Sequence, residues 1–110
     1  MAFNEEAKRL VKQAIEGETK EAVAKWGKTY NSLHEGYAVL KEEVEEADTE
    51  NEQLKECLET FWKNVVKQPD YMRSDNLSKT HIEHIKKHAE QMALEAIQIA
   101  AVCNKIMNGM

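Results

Sequence analysis

An apolar seam runs through the middle third of this chain. Its spacing is the heptad pattern of a helix that packs lengthwise against another helix. A helix over residues 33–66 would be roughly 50 Å long, more than a monomer of this size covers easily. Either a partner chain covers the distal half, or the helix breaks near residues 48–51. The seam steps alternately by four and three residues, with one polar member, through Leu33, Tyr37, Leu40, Val44, Ala47, Asn51, Leu54, Leu58, Phe61 and Val65.

The rest of the chain also favours helices, since 110 residues contain only four glycines and one proline. Asn4 is a suitable N-cap for a first helix over about 4–26, which Gly17 weakens or kinks. Ser32 and Glu35 have the spacing of a capping box at the start of the second helix, over 33–66. Pro69 lies in the loop that follows, and a third helix is predicted over about 78–107. The predicted fold class is all-α, with three main helices in a single domain, residues 1–110.

Composition and charge limit the classes of partner that we expect this protein to bind. The net charge of −5 disfavours a surface for duplex nucleic acid. No segment approaches the roughly 20 apolar residues that span a bilayer, so we expect a soluble, cytoplasmic protein without membrane contact. Cys57 and Cys103 match no metal or redox spacing, which favours reduced thiols. Three helices make an incomplete bundle, and self-association is an economical way to complete it.

Acidic residues crowd the first half of the second helix. At 100° per residue, Glu42, Glu43 and Glu46 fall beside the apolar seam, whereas Glu45 falls on the other side. Glu43 and Glu46 are three residues apart, so their carboxylates can converge on one ion. Glu35 is already explained by the capping box. The sequence therefore offers two carboxylates of α-helical spacing for one half of a cation site.

The other half is predicted on the third helix, where Glu95 and Gln98 lie on a polar stripe that borders the apolar face. Mg²⁺ prefers oxygen ligands and keeps several waters, and Mn²⁺ can replace it. Carboxylates of Glu43, Glu46 and Glu95, with the amide oxygen of Gln98, would suit it. Glutamates are also common on solvated helix faces, so the spacing alone is also compatible with glutamates that bind no metal.

Other chemistry is less well supported by the sequence. His81, His84 and His88 have a spacing that could bind a transition metal, but it equally fits solvated histidines near a helix start. No histidine follows a glutamate by three residues, which excludes the usual di-iron bundle motif. There is no glycine-rich phosphate loop and no nucleophile beside a recognisable base. If the protein handles phosphate, carboxylate-held Mg²⁺ must do it.

These motifs resemble those of a known family. Leu40-x-Glu42-Glu43-Val44-x-Glu46, followed by Glu95-x-x-Gln98, resembles the EExxE…ExxD signature of the MazG-like all-alpha nucleoside triphosphate pyrophosphohydrolases. The segment Asn-Ser-x-His-Glu-Gly-Tyr-Ala-Val over 31–39 is similar to a small MazG-related group often found in phages and prophages. The resemblance covers roughly residues 25–50 and 89–105.

The resemblance implies a helical bundle assembled as a homodimer or homotetramer, which hydrolyses an NTP or dNTP to the monophosphate and pyrophosphate. Glu43, Glu46 and Glu95 would be metal ligands, and Glu42 would bind a further ion or orient the attacking water. Gln98 stands where the family has Asp. A glutamine offers a neutral carbonyl oxygen but neither negative charge nor a base, so we expect weaker metal binding and a slow or lost reaction.

Three hypotheses follow. The first is a Mg²⁺-dependent nucleotide pyrophosphohydrolase or a weakened descendant of one. The second is a non-catalytic helical protein that keeps the bundle for self-association or partner binding, as the heptad seam and Gln98 suggest. The third is nucleotide binding without hydrolysis.

Overall fold

The structure is a computed structural model that describes residues 4–72 and 75–110. Within these residues there are three α-helices and no β-strand, which confirms the all-α prediction. The helices are α1 (Glu5–Trp26), α2 (Leu33–Phe61) and α3 (Asp75–Asn108), and between α2 and α3 lie a π-helical turn (Trp62–Val66) and a 3-10 turn (Asp70–Met72). None of the helices in the described residues is long and apolar enough to cross a membrane.

Both predicted N-caps form. The Ala7 amide donates a hydrogen bond to Asn4 Oδ1 over 2.7 Å, and the Glu35 amide donates to Ser32 Oγ over 3.1 Å. Each bond satisfies an amide that has no acceptor within its own helix. α1 ends at Trp26 and is followed by the cap residue Gly27, whose φ of 94° lies in the left-handed region that glycine adopts without strain. The starts of α1 and α2 are therefore set by local sequence.

The helices are more continuous than the sequence suggested. α1 runs without interruption through Gly17, and α2 runs through residues 48–51 as far as Phe61. The helical backbone then continues to Val66 as a π-helical turn, so the predicted end near 66 is correct. α3 begins at Asp75, three residues earlier than predicted. An acidic side chain in the first turn opposes the helix dipole, which stabilises this earlier start.

The chain forms two compact units, one from residues 1–45 with 94–110 and one from residues 46–93. In the first unit, α1, the start of α2 and the end of α3 pack together. Among its described residues, those that are buried are Gly36, Ala101, Val102 and Lys105. Asn104 Nδ2 donates to Thr19 Oγ1 over 3.1 Å, which joins α3 to α1. Two of these residues, Gly36 and Ala101, have little or no side chain, which allows the helices to approach closely.

In the first unit, α2 and α3 approach each other closely at Gly36. A Cβ atom added there would lie 2.9 Å from Cγ1 of Ile106, which is closer than two carbon atoms can pack. A side chain at position 36 would therefore clash with Ile106 on α3, and glycine avoids this clash. Gly17, by contrast, would meet nothing within 4 Å.

The second unit is a helical hairpin made from the end of α2 and the start of α3. Its one buried hydrophobic residue in the described range is Val65. Nδ1 of His88 lies 2.8 Å from Oε2 of Glu50, and the rings of Phe61 and His81 meet edge to face at 6.4 Å. A hairpin of two helices has a single contact layer, so most of its apolar residues remain accessible to solvent.

The predicted heptad seam is only partly covered. Val65 is buried and the seam residues Leu40, Ala47, Asn51, Leu54 and Phe61 are half-buried. The other four members remain exposed, between 41% and 66%: Leu33, Tyr37, Val44 and Leu58. The seam is therefore wider than the surface that the neighbouring helices of this chain cover.

Candidate metal centre

Three of the predicted ligands lie together. Glu43 and Glu46 are one turn apart on α2, and Glu95 reaches them from α3. One carboxylate oxygen from each residue lies within 4.8 Å of the others, and no other group of three or more His, Cys, Asp or Glu side chains converges in this way among the described residues. The group combines the i, i+3 spacing of one helix with a side chain about fifty residues away in sequence. It joins the two motifs from which the site was predicted.

The surroundings of the three carboxylates differ. Glu43 and Glu95 are half-buried, and Glu46 is exposed. Oε2 of Glu95 is fully shielded from solvent. Carboxylates that lie close together repel one another unless a cation or a proton offsets their charge, and partial burial increases that repulsion. An all-oxygen, negatively charged set that is open on one side suits Mg²⁺, which keeps part of its water shell.

The side chain of Gln98 bonds to a residue of α1. Its Nε2 donates a hydrogen bond to Oε2 of Glu18 on α1 over 2.9 Å. Gln98 follows Glu95 by three residues on α3, and its side-chain amide links α3 to α1. Glu18 is a residue that the sequence did not single out, because nothing local to it indicates a contact eighty residues away.

Glu42, predicted to orient the attacking water or bind a further ion, is exposed on α2 and lies outside the converging group. Its neighbour Glu45 is exposed and pairs with Lys41 over 3.8 Å, as expected for the solvent-facing side. Of the acidic residues in this segment, Glu43 and Glu46 are therefore the two that converge with Glu95.

Tyr30 links the carboxylates to the end of α3. Burial raises the pKa of its phenol above the usual value, and the negative charges of Glu43 and Glu35 raise it further. The ammonium group of Lys105 lies 4.3 Å from the centre of the Tyr30 ring, a cation–π distance. Lys105 also donates to the carbonyl oxygen of Trp26 at 3.5 Å, where a cation stabilises the C-terminal end of α1.

The space beside Tyr30 is small. A cavity of about 100 Å³ is lined by residues of the α1–α2 connection and of the end of α3, among them Tyr30, Ser32 and Ile106. Pockets that enclose small-molecule ligands typically have volumes of about 300–1,000 Å³. This cavity is therefore too small to enclose a nucleoside triphosphate.

Two of the three histidines considered for a transition-metal site contact other side chains. His88 pairs with Glu50, His81 packs against Phe61, and His84 is exposed. No converging group in the described residues includes a histidine. The three histidines therefore do not come together in the way that a transition-metal site requires.

Comparison with known proteins identifies no relative. No family model matches the chain, and no curated protein or solved structure matches it. The arguments for function therefore rest on the motifs and on the geometry of the carboxylates.

Proposed function

We propose that this protein is a Mg²⁺-dependent nucleoside triphosphate pyrophosphohydrolase of the MazG-like type. The observation that carries the proposal is the convergence of Glu43, Glu46 and Glu95 within 4.8 Å. These are the residues that the EExxE…ExxD-like motifs assign to the metal, so the sequence pattern and the side-chain geometry point to the same three carboxylates.

The proposed roles follow from the chemistry of the side chains. Glu43, Glu46 and Glu95 would hold Mg²⁺, and the carbonyl oxygen of Gln98 would add a neutral ligand. Bound Mg²⁺ would neutralise the phosphate oxygens of the substrate. Glu42, the exposed acid that precedes Glu43 in sequence, would bind a further ion or orient the attacking water. Addition of that water across the bond between the α- and β-phosphates gives the monophosphate and pyrophosphate.

Gln98 limits the expected activity. A set of three carboxylates and one amide carries one negative charge fewer than a set of four carboxylates, which lowers its affinity for a divalent cation. The hydrogen bond from Gln98 to Glu18 also competes with any reorientation of the amide. We therefore expect weak metal binding and slow turnover compared with a site that has Asp at this position.

The test measures metal binding and hydrolysis separately. Wild type, Glu43→Gln, Glu95→Gln and the control Glu45→Gln are titrated with Mg²⁺ in a calorimeter and then incubated with a panel of NTPs and dNTPs. We expect Mg²⁺ binding and pyrophosphate release by wild type and the Glu45 variant, and loss of both in the other two. Absence of turnover of every nucleotide by wild type, or unchanged turnover in Glu43→Gln, would falsify the hydrolase proposal.

A second candidate function is self-association without catalysis, in which the bundle serves as an assembly or interaction module. The exposed seam residues favour it, because Leu33, Tyr37, Val44 and Leu58 are the kind of side chains that helix–helix interfaces bury. Assembly as a dimer or tetramer is also part of the hydrolase proposal, because the family resemblance implies it. Calorimetric binding of a non-hydrolysable dNTP analogue, without pyrophosphate release from any nucleotide, would favour nucleotide binding alone. Oligomers that bind no metal would favour the assembly module.

A further inference from the structure

The first helix, α1, buries none of its residues. All 22 are exposed or half-buried, so α1 meets the rest of the first unit only through partly covered side chains. Its large apolar residues Leu10, Val11 and Trp26 are between 48% and 76% exposed. A helix in a protein gains most of its stability from the apolar face that it buries. Apolar contacts therefore hold α1 less firmly than they hold the parts of α2 and α3 that contain the buried residues.

Polar side chains near the end of α3 donate hydrogen bonds to α1. The bonds run from Gln98 to Glu18 over 2.9 Å, from Asn104 to Thr19 over 3.1 Å and from Lys105 to the carbonyl oxygen of Trp26 over 3.5 Å. A hydrogen bond within a protein adds little net stability, because water replaces it when it breaks. These bonds therefore orient α1 on α3 without preventing the two helices from separating.

The helical structure of α1 is supported by contacts within the helix itself. Asn4 caps its first turn, and three ion pairs join residues three or four apart. Such contacts do not depend on a neighbouring helix. A detached helix of this length is nevertheless marginally stable in water, so its backbone amides exchange with solvent once it detaches. The ion pairs are Lys8–Glu5, Arg9–Glu6 and Lys25–Glu21.

Gly27 provides a joint directly after α1. Glycine has the widest range of backbone conformations, and Gly27 already has a φ of 94°. A Cβ atom added at this position would meet no atom within 4 Å, so the joint lies in open space. Rotation of the backbone at Gly27 can therefore move α1 without a steric clash at the joint.

Lys105 is the buried charged side chain among the described residues, with an exposure of 4%. A buried ammonium group requires partners. Its contacts are the carbonyl oxygen of Trp26, before Gly27, and the ring of Tyr30, after it. Movement of α1 at Gly27 therefore removes one of these contacts and admits water to the ammonium group.

We propose that α1 is a detachable helix that opens about Gly27. Opening uncovers Lys105, which changes from a buried to a solvent-accessible cation, and releases the amide of Gln98 from Glu18. The docked and open forms thus present different polar side chains of α3 to solvent. This inference goes beyond the proposed hydrolysis and does not depend on it.

The test compares local opening with global unfolding in the wild-type protein. Trace acetylation with an amine-reactive ester, read by mass spectrometry, measures the reactivity of Lys105, with the exposed Lys28 as the reference. Hydrogen exchange compares the amides of α1 with those of residues 98–104, and urea denaturation gives the global free energy of unfolding. We expect Lys105 and the amides of α1 to react about tenfold or more faster than global unfolding permits.

Two results would overturn the inference. If Lys105 and α1 both react only at the rate of global unfolding, the helix does not open locally. If the amides of α1 exchange fast while Lys105 is acetylated only at the global rate, the helix frays in place and does not detach.

A matched pair of variants tests which face of α1 docks. Ile15 is half-buried and lies one turn before Thr19, whereas Leu10 is exposed. We expect Ile15→Ala to raise the acetylation rate of Lys105 by about fivefold or more and Leu10→Ala to leave it unchanged. Equal rates in the two variants would contradict docking through this face. The pyrophosphate assay decides hydrolysis independently of all these outcomes.

Discussion

Gln98 on α3 donates a hydrogen bond from Nε2 to Oε2 of Glu18 on α1, at 2.9 Å. The pair joins a neutral donor to a carboxylate at the first unit's α1–α3 contact. An aspartate at position 98 would bring a second carboxylate towards Glu18 and remove the donor. Gln98 is therefore matched to a partner on another helix.

Replacement of Gln98 by aspartate should lower the stability of the metal-free protein. We expect Gln98→Asp to lower the free energy of unfolding by about 1 kcal/mol in the absence of metal, because a hydrogen bond is replaced by repulsion. In the double variant Glu18→Gln, Gln98→Asp, the amide and the carboxylate change places and stability should return. Urea denaturation in chelator measures both. If the single variant is as stable as wild type, the hydrogen bond to Glu18 contributes nothing to the packing of α1 on α3.

Mg²⁺ should stabilise the protein in proportion to its binding. At a concentration ten times the dissociation constant, the free energy of unfolding should rise by about 1.4 kcal/mol. Glu43→Gln should lose this increase and be no less stable than wild type in chelator, because it removes one of three mutually repelling carboxylates. Thermal denaturation with Mg²⁺ or chelator, with Glu45→Gln as the control, checks this. An equal Mg²⁺ effect in all three proteins would indicate weak binding elsewhere on the acidic surface.

The two helical glycines should respond oppositely to alanine. Gly36→Ala places a Cβ 2.9 Å from Ile106 Cγ1, and we expect a loss of about 1–3 kcal/mol, as for other overpacked sites. Gly17→Ala meets no neighbouring atom and should stabilise α1 by about 0.5–1 kcal/mol. Chemical denaturation of both variants tests the close approach of α2 and α3. A neutral Gly36→Ala would mean that the helices are farther apart.

Tyr30 should make the protein less stable at alkaline pH. Because its pKa is raised in the folded state, the folded protein retains a proton that the unfolded chain loses. The stabilisation is complete below the unfolded pKa, about 10, and is lost as the pH rises through the folded pKa. Tyr30→Phe should remove this component, so its stability relative to wild type should increase above about pH 10. Denaturation between neutral and alkaline pH measures the difference, and Tyr71→Phe, at a tyrosine that is 88% exposed, is the control.

The pair of His88 and Glu50 should stabilise the hairpin unit. Both side chains are about three-quarters covered, with 25% and 23% of their surface exposed. A double-mutant cycle with His88→Ala and Glu50→Ala should give a coupling energy of about 1 kcal/mol. The same cycle on the exposed pair Lys86 and Glu90 should give only about 0.3–0.5 kcal/mol. Equal values for the two pairs would mean that His88 and Glu50 gain nothing from their partial burial.

Local sequence determined the helices of this protein. The scarcity of glycine and proline, the caps at Asn4 and Ser32, and the periodic apolar residues predict all three helices with nearly correct ends. These features act within a few residues of the chain, so they can be recognised without knowledge of the packing. The i, i+3 spacing of Glu43 and Glu46 belongs to the same class of local information.

Only the tertiary structure decided which side chains meet. The convergence of Glu95 with Glu43 and Glu46, the bond from Gln98 to Glu18 and the contact of Gly36 with Ile106 all join residues far apart in sequence. They depend on the rotation and separation of packed helices, which helical periodicity leaves undetermined. For the same reason the seam identified candidate apolar contacts but could not show that Val65 is buried while Leu58 remains exposed.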